Sequence, residues 1–88
     1  VNASLDGKVI KAGYNNGGYG NLIVIEHENN MKTYYAHLNE IYVNVGDMVK
    51  KDDIIGAVGS TGNSTGPHLH FELRVDNKPV DPVKYIQQ

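Results

Sequence analysis

The chain has no cysteine, no tryptophan and a single phenylalanine among its 88 residues. Without cysteine it can close no disulfide. Yet a chain of this size buries only roughly 60–65% of its unfolded surface, and small domains ordinarily lean on a disulfide, a metal or a partner. The absence fits the cytosol and equally fits secreted proteins of Gram-positive bacteria, so it fixes no compartment. No apolar run approaches the length of a transmembrane helix, which argues against a membrane-spanning segment. Positive charge is sparse: eight Lys and Arg stand against ten Asp and Glu, a formal net charge of −2. Only Lys50 and Lys51 are adjacent, so the clustered basic face of a nucleic-acid binder is missing. A sustained helical period is missing too.

What is present is short, strand-like and punctuated by ten glycines. Hydrophobic residues make up 40% of the chain and charged ones 20%, enough apolar content for a folded domain. Leu22–Ile25 is an apolar, β-rich run closed by Glu28-Asn29-Asn30, which reads as a buried strand entering a hairpin turn. Thr33, Tyr34 and Tyr35 continue as the return strand. Ile41, Val43 and Val45 alternate up to a Gly46-Asp47 turn. Ile54 and Ile55 lead into a short strand over 56–59. From His68 to Val75 the alternation is clean: Leu69, Phe71, Leu73 and Val75 share one face, and His68, His70, Glu72 and Arg74 share the other. Asp76–Pro79 reads as a turn, and the tail 83–88 as one helical turn capped by Asp81 with Pro82 at its first position. The pattern predicts one all-β domain over 1–88, a twisted antiparallel sheet with principal strands at 20–27, 31–37 and 68–75. Leu69, Phe71 and Leu73 are expected in the core.

His68-Leu69-His70 is the first constellation with chemistry in it. Two imidazoles at i and i+2 of a strand project from one face, where both can meet one ion or one substrate atom. The bland alternative is a pair of exposed strand histidines. The polar, glycine-rich loop from Gly59 to Pro67 delivers His68 at a strand start, a common setting for functional residues. That loop is no phosphate cradle, because Gly66 is followed by Pro67 and a strand, where a P-loop needs Gly-Lys-Ser/Thr opening a helix. His37 shares its strand face with Thr33 and Tyr35, and its case depends on whether its strand neighbours that of His70. His27 reads as structural or exposed. Tyr34, Tyr35, Tyr42 and Tyr85 read as packing with hydrated hydroxyls, and Asp47, Asp52 and Asp53 as turn residues.

Four segments together make a pattern: Gly18-Tyr19-Gly20-Asn21 with Ile25 and His27, Tyr35-Ala36-His37-Leu38, Val45-Gly46-Asp47 with Val49 and Lys50, and Ile55-Gly56 running through Gly59-Ser60-Thr61-Gly62-x-Ser64-Thr65-Gly66-Pro67-His68-Leu69-His70-Phe71-Glu72. They closely resemble the M23 zinc metallopeptidases, the lysostaphin- and LytM-type peptidoglycan endopeptidases. The likeness covers nearly the whole chain and ends on Pro79-Val80-Asp81-Pro82 and Tyr85. It implies an all-β fold of the LytM/lysostaphin type, with short barrel-like turns and a groove. It also implies Zn²⁺ as cofactor, a peptidoglycan peptide as substrate, and a location outside the cell or at the bacterial wall, as part of a larger surface or phage-associated protein.

By the same resemblance His70 is a zinc ligand, and His37 and His68 act on the water and the developing oxyanion. Tyr35, Ser60, Thr61, Ser64 and Thr65 are candidates for the groove wall. Glu72 shares the histidine face and is placed to support a ligand from behind. The family's other two ligands lie in a His-x-x-x-Asp segment upstream of the stretch that Val1–Val9 resembles. The 88 residues are therefore expected to be the C-terminal part of the peptidase domain, weak in zinc and inactive alone. The competing expectation is a non-catalytic M23-like module that binds a partner protein or a wall peptide. A third resemblance, of Val45–Ile55 to biotinyl and lipoyl carriers, fails on chemistry: Lys32 is not at the hairpin tip, and a carrier has no use for His68-Leu69-His70.

Overall fold

The computed structural model describes residues 1–59 and 69–81. Among these, seven strands form one antiparallel sheet and no helix occurs: β1 Gly7–Asn15, β2 Gly20–Glu26, β3 Met31–Ile41, β4 Met48–Val49, β5 Gly56–Val58, β6 His70–Val75 and β7 Lys78–Val80. The order across the sheet is β4-β1-β2-β3-β6-β7, and β5 also pairs with β3. The all-β, antiparallel reading holds. The predicted strands over 20–27 and 31–37 correspond to β2 and β3, while the third is shorter, beginning at His70. The helical turn expected over 83–88 lies outside the described residues.

Local chemistry explains the turns. Asn29 and Asn30 both adopt positive φ, 62° and 59°, as a two-residue hairpin turn requires, and Asp76 and Asn77 repeat this between β6 and β7 at 52° and 65°. Asn and Asp visit the left-handed region more readily than other side chains, and that backbone twist matches the twist of the strands it joins.

β2 is paired on both sides and buried on both faces, so Leu22, Ile23, Val24 and Ile25 are all interior and the run shows no alternation. One face carries the main core: Val9, Ile23, Ile25, Tyr35, Leu38, Val49 and Ile55, with Ala3. The other face carries Leu22, Val24 and Ala36, over which Tyr19 and Tyr34 pack. That second, smaller cluster is the floor beside the candidate site.

Of the three residues expected in the core from β6, only Leu73 is fully buried. Phe71 is half-buried, its ring edge-on to Tyr35 at 5.4 Å, and Leu69 is 38% exposed. The reason is position. The ladder between β3 and β6 begins at the Ala36↔His70 pair, so Leu69 precedes it and has no cross-strand partner in that ladder.

β3 organises the site. Its first half, from Met31 to Ala36, pairs with β6, and its last part, from Leu38 to Ile41, pairs with β5 on the same edge. The step from one partner to the other falls at His37.

Candidate active site

Strand alternation alone would point His37 into the core with Thr33 and Tyr35. The structure does otherwise. Asn21 pairs with Leu38 and Ile23 with Tyr35, so two residues of β3, Ala36 and His37, oppose Leu22 alone. This is a β-bulge, and it changes which face the following side chain takes. His37 sits at φ 60°, in the left-handed region that His tolerates better than most side chains. Its backbone N–H donates to the Tyr19 carbonyl at 2.8 Å. The imidazole is carried to the face of His70, the ring centroids 5.9 Å apart and nearly perpendicular. Leu38 then returns to the core, fully buried. Ala36, opposite His70, is small enough to leave room for both rings.

His70, Glu72 and Arg74 alternate onto this face of β6, and Tyr19 reaches over it from the turn between β1 and β2. Glycines on either side of Tyr19 hold that turn open, Gly18 at φ 104° and Gly20 at φ 68°. Gly17, Gly18, Tyr19, His37, His70 and Glu72 line a cleft of about 300 Å³. His37 is nearly buried beneath it, while the His70 side chain is 43% exposed.

Glu72 is the hub. Its Oε1 accepts from the Tyr19 hydroxyl at 3.0 Å and faces His70 Nε2 at 3.0 Å, and its Oε2 accepts from Arg74 Nε at 2.7 Å. The Arg74 guanidinium donates to the Tyr19 oxygen at 3.1 Å and lies 4.3 Å from the Tyr34 ring centroid. Burial pushes the Glu72 carboxyl up, but hydrogen bonds from His70, Arg74 and Tyr19 outweigh it and hold the group below its ordinary range. Burial, with the neighbouring carboxylate, raises the Tyr19 phenol. Tyr19 and Arg74 were not among the sequence-predicted site residues. The available signals were the glycine-flanked aromatic and the shared strand face.

Tyr35 is a correction. Predicted on the groove wall, it is 1% exposed in the main core, since β3 points it away from His37 once the bulge intervenes. Its hydroxyl belongs to a buried row instead. His27 Nδ1 lies 2.7 Å from the Asp6 carbonyl, His27 Nε2 lies 2.7 Å from Thr33 Oγ1, Thr33 Oγ1 lies 2.8 Å from the Tyr35 hydroxyl, and Ser4 N–H donates to that hydroxyl at 3.0 Å. A carbonyl only accepts, so the proton of neutral His27 is on Nδ1. Nε2 then accepts from Thr33, Thr33 accepts from Tyr35, and Tyr35 accepts from Ser4, which satisfies every member. His27 is thus structural, as read. Burial depresses its pKa, against the smaller upward pull of the Asp6 carbonyl and charge.

His37 and His70 are therefore brought together. His68, Ser60, Thr61, Ser64 and Thr65 lie outside the described residues. For zinc, His70 has the right chemistry: Nε2 is engaged by Glu72, and Nδ1 is left as the nitrogen available to an ion. Among the described residues, however, no three His, Cys, Asp or Glu side chains gather as a metal cage. His70 by itself has the chemistry of a single zinc ligand.

The profile of peptidase family M23 matches residues 1–82. The chain belongs to that family. It is 49% identical over 83 residues to the DD-carboxypeptidase/endopeptidase Mpg of Neisseria meningitidis, a match covering 94% of this chain and 19% of Mpg. The catalytic domain of the antimicrobial peptidase lysostaphin from Staphylococcus simulans superposes with a TM-score of 0.89 at 40% identity, over 97% of this chain and 68% of that one. A zinc-containing peptidase from Vibrio cholerae superposes with a TM-score of 0.81 at 49% identity, over 90% of this chain and 24% of that one. M23 members are peptidases, hydrolases acting on peptidoglycan, so the chain is of an enzyme family. It spans about a fifth of the length of Mpg.

Proposed function

We propose that this M23 chain carries the His70 side of a zinc-dependent endopeptidase that cuts peptide cross-links or stem peptides of bacterial peptidoglycan, outside the cell or at the wall. The observation that supports it is the bulge at His37, which spends an unfavourable backbone conformation to bring a second imidazole within 5.9 Å of His70 in an open cleft. A fold indifferent to chemistry gains nothing from that geometry.

In this reading His70 is a metal ligand, and further ligands come from residues beyond those described. When bound, zinc supplies a water acidic enough to ionise near neutrality and a Lewis acid for the scissile carbonyl. The chain's own residues do the rest. His37 stands 5.9 Å from the His70 ring, where a neutral imidazole would be placed to take the proton of an attacking water or donate to the oxyanion. Its near-burial keeps bulk water from competing for that hydrogen bond. His68 has the partner role by motif. The cleft is open above His70, so an extended peptide can lie across it. Ser60, Thr61, Ser64 and Thr65 remain the proposed groove hydroxyls.

The test is mutation in the natural protein that carries this chain. His70→Ala should lose the bound zinc and with it hydrolysis. His37→Ala and His68→Ala should each keep most of the zinc and lose turnover by about 10²–10⁴-fold, the usual worth of a positioned acid or base. Full hydrolysis in His37→Ala would remove its catalytic role. A wild-type protein that retains wall peptides or a protein partner but cuts nothing would favour the non-catalytic module.

A further inference from the structure

The carboxylate behind His70 does not stand alone: three side chains hold it at the rim of the cleft. Both oxygens are occupied: Oε1 by the Tyr19 hydroxyl and His70 Nε2, Oε2 by Arg74 Nε. Arg74 and Tyr19 also bond each other, at 3.1 Å, which closes a ring of three side chains. Arg74 is held in turn over the Tyr34 ring, and Tyr34 is the direct cross-strand neighbour of Glu72. Tyr19 packs near both Tyr34 and His70, with centroids 6.2 and 5.9 Å away. Three neighbours drawn from β6, β3 and the β1–β2 turn therefore fix one carboxylate rotamer.

That rotamer decides something about His70. A carboxylate that accepts from Arg74 and Tyr19 can only accept from the ring, so Nε2 must carry the proton. The other nitrogen, Nδ1, is then the one with a free lone pair, and the ring plane is set by the same bond. An imidazole on an exposed strand position otherwise samples both tautomers and several ring orientations. We infer that Glu72, braced by Arg74 and Tyr19, is a positioning residue that locks His70 in the Nε2–H tautomer and presents Nδ1 to the cleft. This rests on the peptidase reading for its purpose but not for its geometry. In this role Arg74 and Tyr19 act through Glu72.

The experiment is a long-range proton–nitrogen correlation spectrum of the natural protein, ¹⁵N-labelled at histidine, stripped of metal and held near pH 8, with Zn²⁺ affinity measured in parallel. Wild type should show the His70 proton on Nε2. Glu72→Ala should show a mixture of tautomers and a Zn²⁺ affinity lower by about 10–100-fold, the usual effect of losing a partner behind a ligand. Arg74→Gln keeps the carboxylate but frees it to swing, and should move both readouts in the same direction by less. Should Glu72→Ala fail to fold, Arg74→Gln decides. A folded Glu72→Ala or, in its absence, Arg74→Gln protein with the His70 proton still on Nε2 and unchanged Zn²⁺ affinity would overturn the inference. A wild-type protein that binds no Zn²⁺ and cuts nothing would end the peptidase reading, and the tautomer comparison would still test the clamp.

Discussion

At the scale of single residues, the row from His27 to Ser4 shows how a buried histidine ties distant segments together. Protonating His27 would turn Nε2 into a donor, reverse the Thr33–Tyr35 bond and leave the Tyr35 hydroxyl hydrogen without an acceptor in the core. His27 is therefore neutral in the fold, and its pKa lies below the ordinary value of 6.5. The unfolded chain takes up this proton first as pH falls, so the associated stability is present above about pH 6.5 and is lost as pH drops through the folded value. His27→Gln should cost about 1–3 kcal/mol at pH 7.5, the penalty for leaving buried partners unpaired. Its deficit against wild type should shrink as pH approaches 5. Urea titrations of both proteins at several pH values measure this, and a deficit independent of pH would contradict it. Gly7 guards the same row. A Cβ there would meet the Glu26 carbonyl and come within 2.7 Å of His27 Nδ1. Gly7→Ala should destabilise by about 1–3 kcal/mol, as overpacking does, and a melting temperature equal to wild type would contradict it.

At the scale of elements, the bulge in β3 is the device that turns one residue of a core strand, His37, onto the face of His70. Alternation was legible in the sequence and gave the right face for His70, Glu72 and Leu73. It misassigned His37 relative to Tyr35, because no residue near Ala36 announces an extra residue in the ladder: neither Gly nor Asn stands at the left-handed position. The convergence of His37 and His70 was legible only through the motif likeness. β1 was hardly legible either, since Val9 is its one fully buried residue and a register shift after it breaks the period. Tyr19 entered the site through a turn, which carries no facial pattern at all. The left-handed conformation costs a residue with a Cβ roughly 1–2 kcal/mol. His37→Gly should therefore unfold at the same urea concentration as wild type or a higher one, whereas the β-branched His37→Val should unfold at a lower one. His37→Val as stable as His37→Gly would mean that the bulge is not held as described.

At the scale of the whole molecule, one antiparallel sheet of the described residues supplies the floor, and its strand β3 changes partner from β6 to β5 beside the two histidines. No helix among the described residues is long and apolar enough to cross a membrane. The fold is that of the lysostaphin catalytic domain, and the chain is about a fifth of the length of Mpg; among the described residues, Tyr19, His37, His70 and Glu72 line one cleft. The central claim is that this cleft serves peptide-bond hydrolysis in peptidoglycan through a metal held in part by His70. The most direct measurement is mass spectrometry of purified peptidoglycan after incubation with the natural protein, set beside its His70→Ala variant and a chelated sample. The account predicts that cross-linked muropeptides fall to cleaved products with wild type alone, and that both controls leave them intact. Cleavage by His70→Ala at the wild-type rate, or intact cross-links and stem peptides with the zinc-loaded wild type, would contradict it.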